Sequence, residues 1–94
     1  MTYKLRFNLQ ALKEWERLDA PIRDQFQRKL KERIEFPEVP KDRLRGAPNT
    51  YKIKLRASGF RLVYEVVDDQ LVVLVLAVGK RAACAVYEAS ATRH

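Results

Sequence analysis

Four cations mark the part of this chain best suited to chemistry. Lys52, Lys54, Arg56 and Arg61 all fall within YKIKLRASGFRLVYEV, residues 51–66. The stretch alternates as a strand does, with Tyr51, Ile53 and Leu55 on one face and Lys52, Lys54 and Arg56 on the other. A turn at 57–60 sets Arg56 opposite Arg61, Lys54 opposite Val63 and Lys52 opposite Glu65. All four cations then share one face of a hairpin, while Ile53, Leu55 and Leu62 share the other. Lys52 and Lys54 would lie roughly 7 Å apart along the strand. With an effective dielectric of about 20, like charges at that spacing repel by about 2 kcal/mol. Such crowding favours proton loss, so a lysine here can serve as base as well as acid. An anionic partner would offset the repulsion.

The charge distribution points the same way. The chain has 94 residues and a net charge of +7. Residues 41–61 hold seven cations (Lys41, Arg43, Arg45, Lys52, Lys54, Arg56, Arg61) against Asp42 alone. The remaining residues hold 12 cations and 11 acids, so the excess sits on about one-fifth of the chain. A field focused in this way draws polyanions and speeds encounter with them. Composition is that of a globular protein, 47% hydrophobic and 33% charged, with a single domain over residues 1–94 expected. No segment reaches the ~18 consecutive apolar residues of a membrane span. MTYKLRFN lacks the apolar stretch of a signal peptide. One cysteine, Cys84, excludes an internal disulfide and fits a reducing cytoplasm. With one histidine, His94, at the C-terminus, no metal site or cofactor is expected.

The elements that must carry these cations are legible from periodicity. Tyr3, Leu5 and Phe7 alternate as a short strand over 2–7. Asn8 is a fair N-cap for a helix to about residue 18, with Leu9, Leu12, Trp15 and Leu18 on one face. Asp19-Ala20-Pro21 turns into a second helix, about 20–35, whose stripe is Ile22, Phe26, Leu30 and Ile34. PEVPKDRLRGAPNT, 37–50, is a basic loop. Strands follow at about 51–56, 60–67 and 70–78, the last so apolar that it must be central. Residues 82–91 suit a short terminal helix. The fold class is α+β: two N-terminal helices packed on a small, mainly antiparallel four-stranded sheet, then a short C-terminal helix.

Gly79 and Lys80-Arg81 come at the end of the central strand, near Arg61, so Arg81 can reach the patch. Tyr87 lies about two turns into the terminal segment and can set a ring or hydroxyl over it. Cations beside an exposed ring suit RNA, with charge for phosphate and a ring for an unstacked base. From the residues alone two readings stay open, a ribonuclease and a non-catalytic RNA- or ribosome-binding module. No helix carries a basic face for DNA, and the strand has no apolar neighbours to enter a membrane.

The residues ALKEWERL (11–18), RLRG (43–46), YKIKLRASGFRLVYEV (51–66), VGKR (78–81) and VYEA (86–89) resemble those of the RelE family of bacterial toxins, within the RelE/ParE superfamily. The hairpin together with VGKR is the specific part. The resemblance implies a ribosome-dependent endonuclease that cuts messenger RNA in the A site of the small ribosomal subunit, against its ribosomal RNA. It further implies an antitoxin of the RelB type that covers the basic surface, and operator DNA bound only through the toxin–antitoxin complex. The family's active-site residues fall on Lys52, Lys54, Arg61, Arg81 and Tyr87, with Arg45 contacting RNA. Arg43, Lys41, Arg56 and Lys80 extend the RNA-binding set. The stretch Ala82-Ala83-Cys84-Ala85 is less polar than in such relatives.

Overall fold

The computed structural model describes residues 2–44, 46 and 48–80. In chain order the elements are β1 (Lys4–Phe7), α1 (Leu9–Glu16), α2 (Ala20–Arg33), β2 (Thr50–Lys54), β3 (Phe60–Val67) and β4 (Val72–Lys80). Single 3-10 turns cover Pro40–Asp42 and Asp68–Gln70. The terminal helix expected over 82–91 lies outside the described residues.

The strands form one sheet in the order β1-β4-β3-β2. VVLVLAV in β4 has no polar side chain to turn toward water, and β4 accordingly takes an interior position. β1 pairs with it in parallel, because two helices intervene and bring the chain back to the same end. β3 pairs antiparallel with β4 and β2 antiparallel with β3, as short connections require. The turn between β3 and β4 closes through Leu71, a non-glycine residue at φ 53.

One sheet face carries the helices. Leu62, Tyr64, Val66, Val73, Val75, Val78 and Ile53 meet Ala11, Leu18, Phe26 and Leu30 there. Burying a side chain the size of Phe26 or Ile53 stabilises the fold by about 1.5–3 kcal/mol. Three rings join the helices to the sheet: Phe7 and Trp15 at 5.2 Å, then Trp15 and Phe26 at 6.3 Å. The stripe expected on α2 is the one buried. On α1 it is corrected: Leu9 is 78% and Leu12 38% exposed, whereas Ala11 is fully buried. The contact face runs Ala11, Trp15, Leu18, one helical row over, because alanine lets the helix axis approach the sheet. Asn8 caps α1 as expected, its side-chain oxygen accepting from the Gln10 amide at 2.9 Å.

A bulge breaks the β3–β4 ladder. Val63 pairs with Ala77 but Tyr64 pairs with Val75, leaving Leu76 as an extra residue. The insertion reverses the alternation of β4 beyond it. Val73, Val75 and Val78 face the helices, while Leu76 and Ala77 both turn to the opposite face with Val63.

Candidate active site

The face opposite the helices is where the cations gather. Lys54 pairs directly with Arg61, and Lys52 with Val63. Lys54 is exposed; Lys52 and Arg61 are half-buried. The expected register is therefore off by two residues, since Lys54 had been set against Val63 and Lys52 against Glu65. The cause is the loop, which is Arg56–Gly59 rather than 57–60. Leu55 and Phe60 close it through the Leu55 amide to the Phe60 carbonyl, 2.9 Å. Gly59 has φ +80, and a left-handed residue must come last in such a loop, just before the strand resumes. A two-residue shift preserves strand parity, so Lys52, Lys54 and Arg61 still share a face. Arg56 is displaced from the strand into the exposed turn.

On its other side Arg61 pairs with Gly79 of β4. Arg61 thus stands between Gly79 of β4 and Lys54 across the hairpin. Arg61 donates to the Gly59 carbonyl at 3.4 Å, a long bond that ties the side chain back to the turn. Next to the cations lies an apolar floor of Val63, Leu76 and Ala77, with Leu44 and Leu74 packed against it.

The basic loop borders the site. Leu44 donates its amide to the Thr50 carbonyl at 2.9 Å, and Arg43 bridges to Tyr51, so this segment runs along the outer edge of β2. Lys41 and Arg43 are exposed. Lys80 goes elsewhere. It pairs with Phe60, and its Nζ lies 5.8 Å from the Phe60 ring centroid, on the helix-bearing face. Of the residues anticipated, the fold brings together Lys52, Lys54 and Arg61, places Arg56 in the adjoining turn, leaves Lys41 exposed in the basic loop, pairs Arg43 with Tyr51 on the helix-bearing side of the β2 edge, and turns Lys80 away. Arg45, Arg81 and Tyr87 lie outside the described residues. Among the described residues no cluster of three or more potential metal ligands occurs, and no helix is long and apolar enough to cross a membrane.

This geometry can be set beside known proteins. Residues 5–83 match the family described as the ParE toxin of the type II toxin–antitoxin system parDE. The chain is 52% identical over 93 residues to a RelE-like toxin protein of Escherichia coli, covering 99% of this chain and 98% of that one. It is 48% identical over 93 residues to the mRNA interferase toxin RelE of E. coli K12, with the same coverage. The chain belongs to the ParE toxin family of type II toxin–antitoxin systems. The fold agrees: a double arginine-to-alanine mutant of E. coli RelE in the free state superposes with a TM-score of 0.92 at 48% identity, covering 99% of this chain and 98% of that one. RelE within the intact E. coli RelBE toxin–antitoxin complex superposes with a TM-score of 0.83 at 50% identity, covering 85% of this chain and 98% of that one.

Two residues of this toxin support the site from behind and were not anticipated. Arg33, at the end of α2, pairs with Asp42 at 2.6 Å. It also donates to the Tyr64 hydroxyl at 2.8 Å and to the Lys52 carbonyl at 3.3 Å. Tyr64 in turn donates to the Pro37 carbonyl at 2.7 Å. One guanidinium therefore joins α2, the basic loop, β2 and β3, and holds the backbone at Lys52. Burial pushes the Tyr64 phenol above its ordinary value, and its hydrogen bond to Arg33 pulls the other way. The sequence signal was partial: Asp42 is the lone acid of the basic segment 41–61, but Arg33, at i+7 and i+3 from Phe26 and Leu30, is matched by Lys29 at the same spacing from Ile22 and Phe26. The second residue is Glu14, whose Oε1 accepts from the Val78 amide at 3.0 Å.

Proposed function

We propose that this chain is the toxin of a type II toxin–antitoxin pair and a ribosome-dependent endonuclease of messenger RNA. The observation that carries the reading is the Lys54–Arg61 pair with Lys52 two residues along, on one sheet face and flanked by Gly79. Near-full-length identity of 48% to a protein named an mRNA interferase supports it. The reaction is attack of an RNA 2′-hydroxyl on the adjacent phosphorus. A P–O2′ bond forms, the P–O5′ bond breaks, the base takes the 2′ proton and the acid delivers one to the departing 5′ oxygen. The products are a 2′,3′-cyclic phosphate and a free 5′-hydroxyl. The nucleophile belongs to the substrate, so the reaction asks for no metal.

Arg61 suits the phosphorane, because its planar fork matches two phosphate oxygens and it keeps its charge. Lys54, across the hairpin, serves as acid to the leaving oxygen. The base is Lys52 or Tyr87, and Arg81 holds the scissile phosphate. Arg45, Arg43 and Lys41 contact the RNA backbone. The messenger lies in the A site of the small subunit, where ribosomal RNA fixes it in attack geometry, a contribution that can reach several kcal/mol. The toxin acts in the cytoplasm. Its inhibitor is an antitoxin of the RelB type, by likeness to the RelBE complex; operator DNA is bound only through that complex.

Single-turnover cleavage of messenger on programmed ribosomes tests the reading. Arg61→Ala should slow cleavage about 100-fold or more, and wild type should leave 5′-hydroxyl ends. Intact messenger with wild type, 5′-phosphate ends, or wild-type speed in Arg61→Ala would each overturn it.

A further inference from the structure

We propose that Glu14 is a positioning residue for cleavage, a carboxylate that replaces a missing strand beside the end of β4. The proposal rests on the reading that Arg61 and its neighbours carry the reaction. β1 pairs with β4 only from Lys4–Val72 to Phe7–Val75, and the Asn8 amide then donates to the Val75 carbonyl at 2.9 Å. There the chain leaves the sheet to begin α1. β4 continues for five residues to Lys80, paired with β3 on one side and, among the described residues, with no strand on the other. A backbone N–H directed to that vacated side needs an acceptor.

Glu14 supplies it. Its Oε1 accepts from the Val78 amide at 3.0 Å, and Val78 is only 4% exposed. α1 starts where β1 stops, and its second turn carries Glu14 back over the unpaired edge. The anchored peptide immediately precedes Gly79, the residue that pairs with Arg61. Gly79 is also the least stiff residue of the strand. Between a bulge at Leu76 and a glycine at 79, the Glu14–Val78 bond holds the terminal stretch of β4 in register beside Arg61. The carboxylate acts through the backbone and does not touch RNA. What the role asks of residue 14 is an acceptor at this length.

The test is single-turnover cleavage on programmed ribosomes, well below the melting temperature, separating the maximal rate from the toxin concentration at half-maximal rate. Glu14→Ala should lower the maximal rate about 10-fold or more, with the half-maximal concentration within about twofold. Glu14→Gln keeps an acceptor of the same reach and should cleave within about threefold of wild type. Should the alanine variant fail to fold, Glu14→Asp carries the test: its carboxylate is one methylene short, and it should cleave more slowly than the glutamine variant. Wild-type speed in Glu14→Ala, or in Glu14→Asp where alanine does not fold, overturns the proposal. So does a folded glutamine variant as slow as alanine or aspartate. Arg61→Ala is run alongside; undiminished cleavage there would sink the functional reading instead and leave its failure distinct from that of Glu14.

Discussion

Replacing Arg33 with methionine should loosen the basic loop and cost a large share of the toxin's stability. Methionine keeps an apolar stem and removes the guanidinium, whose carbon lies 5.7 Å from the Tyr64 ring centroid. Lost with it are the 2.6 Å pair to Asp42 and the bonds to the Tyr64 hydroxyl and Lys52 carbonyl. The ion pair is 14% and 19% exposed at its two side chains. That places it between surface pairs, worth about 0–1 kcal/mol, and fully buried ones, whose breakage costs about 3–5 kcal/mol. An intermediate cost of about 2–3 kcal/mol follows. For a domain of this size each kcal/mol moves the melting temperature by about 4–8 °C, so the shift should be about 10–20 °C. Urea unfolding followed by the fluorescence of Trp15, which packs between Phe7 and Phe26, measures the lost free energy, and a thermal melt the shift in temperature. A double-mutant cycle with Asp42→Asn should give a coupling of about 1–2 kcal/mol. Trypsin should also cut faster after Lys41 and Arg43 in the variant. A loss within about 0.5 kcal/mol of zero, or strict additivity in the cycle, would refute the reasoning.

Two further outcomes follow from single groups. Tyr64 holds its proton more tightly folded than unfolded, chiefly through burial, so its stabilising effect is complete below the unfolded value near pH 10 and fades as pH rises through the folded value. Tyr64→Phe should be less stable by about 1 kcal/mol at neutral pH, and the gap to wild type should narrow above about pH 10; a constant gap in unfolding titrations refutes this. Gly59→Ala should cost about 1–2 kcal/mol, seen as a lower melting temperature. Its φ is +80 and nothing lies within 4 Å of the added Cβ, so the backbone alone is responsible and an unchanged melt would refute the left-handed turn.

The α+β class, the two helices, the four strands and the central place of β4 were readable because each rests on a local period. Helical repeats over 9–18 and 20–35 and alternation over 51–56 and 60–67 survive whatever the chain later packs against. The proposed active-site cations on β2 and β3 were readable for the same reason: parity along a strand decides the face, and a register error of two leaves parity intact. Where the period met a neighbour, the reading failed. Leu9 and Leu12 fit the helical stripe as well as Ala11 does, and only the close approach of α1 to the sheet selects alanine.

Chemical type and alternation along the chain were enough to gather Lys52, Lys54 and Arg61 on one surface, because both are properties of neighbouring residues. Which residue stands across from which was settled in three dimensions. The left-handed Gly59 set the hairpin register, and the extra residue Leu76 reversed β4 so that Gly79 lies beside Arg61 and Lys80 turns away. Arg33 and Glu14 likewise found their partners only across the fold, 9 and 64 residues distant, since a hydrogen bond depends on separation in space and the sequence records only separation along the chain.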